Sequence, residues 1–189
     1  MDLAAAHRLA DSQGFGEGIF NHFTLATPDT DDRYLQIPFG LHWSEVTASC
    51  FMEDPRIEVI GQTEIGFLDR VAYDDEYIGL AFDPAEGKRL AAVLGPHNKV
   101  LFMGNHGVLV VGEPVAEAYD RLYYLERVCQ VQLYAMWTSR ALKHVPAAIL
   151  ERTQHEYATS LAYQGKPACE HHFAALKRLL DRRESDYAD

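Results

Sequence analysis

Lys99-Val100-Leu101-Phe102-Met103-Gly104-Asn105-His106-Gly107-Val108-Leu109-Val110-Val111-Gly112 decides the fold. Two short apolar runs, 99–103 and 108–111, flank Gly-Asn-His-Gly. Runs of this length, bounded by glycines, read as buried strands joined by a tight turn. Glycine reaches positive φ and lets backbones approach closely. His106 is therefore presented at the rim of a sheet rather than packed. From the residues alone two readings stay open: a turn histidine that is merely exposed, and a histidine held out for chemistry.

Working outward, Asp83-Pro84-Ala85-Glu86 has the form of a helix start, with Asp as cap, Pro at the first position and Glu three residues after the cap. Leu90, Ala91 and Leu94 make its buried stripe, and Gly95-Pro96 stops it. Phe67 to Tyr73 reads as a short strand that ends in Asp74-Asp75-Glu76, taken as an exposed acidic turn. On the other side, Pro114 opens the longest helix, to about Ser139. Val115, Ala118, Tyr119, Leu122, Leu125, Cys129, Leu133 and Met136 recur at helical spacing. Tyr123, Tyr124, Val128 and Val131 widen the stripe, so a second apolar face is expected at a subunit contact. Helices are also expected over 2–13, 147–163 and 168–183. Ile19 to Thr27 alternates, with Ile19, Asn21, Phe23 and Leu25 on one side and Phe20, His22, Thr24 and Ala26 on the other. That strand pairs with 33–37 as an antiparallel hairpin. Helices at both ends around a set of strands imply a layered α/β or α+β domain.

The chain has 189 residues, 48% of them hydrophobic, which suits one domain with a sizeable core. Lys plus Arg total 17 against 28 Asp plus Glu, a net charge of −11. Such a field repels phosphate backbones and anionic lipid surfaces, which excludes nucleic acid and membrane as expected partners. Three unpaired cysteines, no apolar run of spanning length and a polar N-terminus predict a reduced, cytoplasmic, soluble protein.

Several stretches together resemble the class II aldolase/adducin family: Gly18 to Thr24, Pro38 to Ser49, Gly104 to Gly112, and the long helix with Val115 to Ala118 and Tyr123 to Glu126. The order of these stretches agrees, and the likeness is closest to the adducin-like branch. The resemblance implies a three-layer αβα sandwich with a central, mainly antiparallel sheet over residues 1–189, and a homotetramer with active sites at subunit contacts. It also implies a divalent metal, typically zinc, held by three histidines. One of them matches His106; the other two come from a His-x-His pair on one strand. By the same resemblance Thr24, Phe39 and Gly40 line an anion- or substrate-recognising pocket, and His22 lies beside it. Phe39 stands where sugar-phosphate aldolases have a smaller polar residue.

The departures matter as much as the match. No His-x-His pair occurs anywhere in the chain. The family places it, with an acid/base Glu, between the segments matching 47–49 and 60–63. About a dozen residues are too few for a helix and a strand. A segment is therefore missing near 51–56, through a gene deletion, a shortened chain or, as the favoured expectation, an unordered stretch left out of the sequence. Among the other histidines, His42 reads as a packed loop residue. His155 lacks a partner four residues on. His171 and His172 diverge by about 100° on a helix. Two functions follow from the resemblance. One is a metal-dependent lyase of carbohydrate metabolism, cleaving, decarboxylating or epimerising a small hydroxy-carbonyl or sugar-like compound. The other is a non-catalytic, adducin-like module for oligomerisation or cytoskeletal binding.

Overall fold

The computed structural model covers the whole chain and describes residues 2–15, 23–26, 34–36, 56–76, 78, 84–159, 162–163 and 165–183. The stretch 51–55, where a segment is expected to be missing, lies outside the described residues. Contacts group the chain into two units. One comprises Met1–Val46, Gly112–Asp120 and Lys166–Asp189; the other comprises Thr47–Val111 and Arg121–Gly165.

In the first unit α1 (Asp2–Ser12) packs on the C-terminal helix α6 (Ala168–Arg183). Ala5, Ala6, Leu9 and Ala10 form the buried face of α1, at the expected spacing. Gly14 ends the helix at positive φ, and the Phe15 N–H reaches back to the Ala10 carbonyl, closing the turn. Phe173 and Leu180 are the buried residues of α6. Strands β1 (Thr24–Ala26) and β2 (Tyr34–Gln36) pair antiparallel, Thr24 opposite Gln36, as the alternation predicts. The aromatic rings of Phe23, Tyr119 and Phe173 are in series, with centroids 6.5 and 5.4 Å apart.

The second unit is built on a three-stranded sheet, β3 (Val71–Asp74), β4 (Val100–Met103) and β5 (Gly107–Val110). β4 is central and wholly buried. It pairs parallel with β3, Val71 opposite Val100, and antiparallel with β5, Met103 opposite Gly107. The sheet is thus mixed, whereas β1 and β2 pair antiparallel. Parallel neighbours need a crossover, and α3 (Pro84–Leu94) supplies it. Leu90, Val93 and Leu94 of α3 pack on Ala72, Leu101 and Met103. Ala91, expected in that stripe, is exposed, and Val93 takes its place. The stretch 67–69 is turn rather than strand, because strand pairing starts only at Val71.

The long helix α4 (Val115–Trp137) ends close to its predicted limits. Leu125, Val128, Cys129 and Gln132 are buried in the second unit. Before β3, residues 56–60 run as a strap without strand pairing. The buried Gln132 amide clamps it: Nε2 donates to the Arg56 carbonyl at 2.8 Å, and Oε1 accepts the Glu58 N–H at 2.9 Å. The Tyr73 hydroxyl accepts the Ile57 N–H at 3.0 Å, and Val145 N–H donates to Val59. Side chains here satisfy backbone groups that a neighbouring strand would otherwise meet. The short helix α2 (Gln62–Ile65) contacts α5 (Ala147–Thr159). α5 stops before 163 because Ala162–Tyr163 and Lys166–Pro167 pair as a small hairpin around Gly165.

Candidate functional site

In an open sheet, the carboxyl ends of parallel strands are where ligands gather. Here those ends belong to β3 and β4, and they carry Asp74 and the Gly104–His106 turn. The His106 N–H donates to the Met103 carbonyl at 3.1 Å, closing a β-turn. Asn105, at φ 57°, supplies the positive φ that the third position of a type II turn requires. Asn tolerates this region better than other side chains, because its short polar group bonds locally. The turn's left-handed residue is thus Asn105 and not Gly104. Gly104 serves a close approach instead. Its N–H donates to the Asp74 carbonyl at 2.8 Å, and a Cβ there would stand 3.3 Å from the same oxygen. The turn is thereby seated on the end of β3, and the His106 side chain is exposed.

Beneath it lies an ion-pair network that the sequence reading did not find. Asp74 is buried, at 6% exposure, rather than part of an exposed acidic turn; Asp75 and Glu76 do face solvent. Arg89 of α3 reaches back over the strand end and grips Asp74 with both terminal nitrogens, at 2.9 and 2.5 Å. The same guanidinium donates to Glu86 through Nε at 2.7 Å and through a terminal nitrogen at 2.8 Å. Fork-on-carboxylate geometry of this kind fixes orientation as well as charge. The Arg89 hydrogen bonds hold the Asp74 carboxyl below its ordinary range; burial opposes this, and the Glu76 N–H adds to it. Arg89 likewise lowers Glu86. Burial and the Asp74 charge push the other way, and His106 is near enough to lower Glu86 further. The Arg89 pKa is raised by the same two partners. Two carboxylates sharing one guanidinium leave a net negative charge beneath the turn that carries His106.

The predicted site residues fall as follows. Thr24 is exposed on β1, in the first unit. His106 is exposed at the strand ends of the second. His22, Phe39 and Gly40 lie outside the described residues, as does His42. Among the described residues no three His, Cys, Asp or Glu side chains converge to hold a metal ion. Asp74 and Glu86 are committed to Arg89. The described residues therefore supply one histidine of a three-histidine site and do not fit the metal by themselves. His172 is bonded to Asp120 at 2.6 Å instead of sharing an ion with His171. Burial and the neighbouring carboxylates of Asp120, Glu117 and Glu170 push the Cys169 thiol up, against the Glu170 backbone hydrogen bond. Sequence reading missed Arg89. The available signal was the Glu86–Arg89 spacing of three on a helix that follows a strand ending in acidic residues.

Comparison with known proteins places this geometry. Residues 46–133 match the family model described as the Class II Aldolase and Adducin N-terminal domain. A Pseudomonas aeruginosa protein named "Putative aldolase class 2 protein" is 28% identical over 99% of this chain and 90% of its own length. Rat alpha-adducin is 27% identical over 95% of this chain, which spans 32% of that longer protein. The crystal structure of an aldolase II superfamily protein from Pseudomonas syringae superposes with a TM-score of 0.85 at 27% identity, covering 100% of this chain and 94% of the other. An L-fuculose 1-phosphate aldolase from Glaciozyma antarctica has the same fold, with a TM-score of 0.74 at 18% identity over 95% and 88% of the two chains. The alignment to the Pseudomonas aeruginosa protein runs over 236 residues, 47 more than the 189 of this chain. On motif order, fold and these relatives, the chain belongs to the class II aldolase/adducin family.

Proposed function

We propose that this chain is a non-catalytic binding member of its family. It takes a small hydroxy-carbonyl or sugar-like ligand at the segments carrying His22, Thr24, Phe39 and Gly40, and it assembles with copies of itself. The carrying observation is the pairing of two facts: no His-x-His occurs in the sequence, and the alignment to the Pseudomonas aeruginosa relative is at least 47 positions longer than this chain. We place that shortfall near 51–56, just before the strap clamped by Gln132. A Lewis-acid lyase needs a metal with several protein ligands and an open position. The residues here offer His106. Assembly is supported by the outer face of α4, where Tyr124, Val131, Tyr134 and Trp137 are exposed. A tetramer is what the family likeness implies, and a cytoplasmic setting is what the unpaired cysteines imply; no helix among the described residues is long and apolar enough to cross a membrane.

One observation favours the second reading, a zinc-dependent lyase. Gly-Asn-His-Gly is intact and seated at the carboxyl ends of parallel strands, and relatives named as aldolases match at nearly full length. Elemental analysis of the intact protein, purified without chelator, decides between the two. Well under one zinc per chain, unchanged in His106→Ala, is expected. About one zinc per chain, lost in His106→Ala, overturns the binding-module reading in favour of the lyase.

A further inference from the structure

Helix α1 carries a half-buried imidazole with both ring nitrogens engaged. His7 Nδ1 lies 2.8 Å from the carbonyl oxygen of Leu3, one turn earlier. His7 Nε2 lies 3.2 Å from the backbone nitrogen of Phe23. A carbonyl can only accept and a backbone N–H can only donate. Nδ1 must therefore carry the proton, and Nε2 must be the bare acceptor. The fully protonated ring has no acceptor and cannot make the second bond. The ring also meets Phe23 edge-on, with centroids 5.2 Å apart and planes at 85°. Phe23 continues inward to Tyr119 and Phe173. This one residue is thus fixed by its N–H on one side and its ring on the other.

Phe23 stands between His22 and Thr24. Thr24, the next residue, opens β1 and is exposed. We propose that His7 is a positioning residue: as the neutral Nδ1–H tautomer it latches Phe23 and so sets the strand that offers Thr24 to ligand. This rests on the proposed ligand role of the 22–24 segment, while the latch itself does not.

Long-range 1H–15N correlation spectra of the full chain report the tautomer directly. A protonated Nδ1 and a bare Nε2 are expected at His7; an Nε2–H tautomer overturns the proposal even if no variant folds. His7→Phe keeps an aromatic ring against Phe23 and removes the acceptor. It is expected to speed hydrogen exchange at the Phe23 amide by roughly three- to tenfold, the scale of one hydrogen bond. Protection within α1 should not change; an unchanged Phe23 amide overturns the latch. Glycolate serves as the hydroxy-carbonyl probe. It should shift the Thr24 signals in the native chain and do so with several-fold weaker affinity in His7→Phe. Equal affinity overturns the positioning role. If glycolate leaves Thr24 unmoved in the native chain, the ligand role of the segment falls, and the tautomer and exchange results still decide the latch.

Discussion

Asp74 shows how one side chain decides whether a strand end is a turn or a site. A carboxylate buried at this depth is costly unless paired, and Arg89 pairs it through two nitrogens. Its folded pKa lies below its ordinary value, so the sign of the linkage is fixed. The stabilisation is complete above the ordinary carboxylate range and is lost as pH falls through the lowered folded value. Asp74→Asn should cost about 2 kcal/mol near neutral pH. Urea melts at pH 7 and pH 3 should show the gap from the native chain shrinking at the lower pH. A gap that stays constant would mean that the charge on Asp74 does not matter to stability. None of this was legible in Asp74-Asp75-Glu76 read alone. Three acidic residues in a row look solvated, and a partner fifteen residues on leaves no local trace. The display of His106 was legible, because Gly-Asn-His-Gly between two apolar runs is a short-range signal.

Among the elements, those whose determinants are local were read well. Helix α3 starts with Pro84 and stops at Gly95, and α4 follows its apolar period to Trp137. The strap at 56–60 had no such signal. Its four apolar or acidic residues carry no period, and its anchors come from Gln132 and Tyr73, far along the chain. Gln132 is a polar residue in a helix interior and buried, and its amide does the work of a strand neighbour for Arg56 and Glu58. Removing both bonds in Gln132→Ala should destabilise the protein by about 2–3 kcal/mol. The loss should appear as faster hydrogen exchange at the Glu58 amide, while the Val100–Met103 amides of β4 change only with global stability. Equal effects at both places would show the strap and sheet to be one cooperative unit. The crossover from β3 through α3 to β4 was also not foreseen. β4 was placed correctly and β3 only in its second half, and nothing in their composition tells parallel from antiparallel pairing.

For the molecule as a whole, the family likeness reached the fold further than any residue pattern did. It left the function open, because the His-x-His pair that would decide it does not occur in the sequence. The outer face of α4 bears on assembly. Trp137 is 80% exposed and Tyr134 60%, with Val131 and Tyr124 along the same helix. A run of large apolar groups like this is more than scattered surface hydrophobics. Val131→Glu places a charge in its middle. Sedimentation velocity should find the native chain assembled and the variant shifted towards monomer, with the same helical circular dichroism. A native chain that sediments as a monomer would remove assembly from the proposed function.

The two partners of β4 also differ in how far the chain must loop to make them. β5 is reached across the three residues 104–106, whereas β3 is reached only across α3, from Val71 to Val100. Closing the shorter loop costs less chain entropy, and isolated hairpins form within about 1–10 μs. The hairpin that displays His106 therefore has the cheapest nucleus in the sheet. The turn that holds out His106 is thus set early in folding, before the crossover through α3 brings β3 to the sheet.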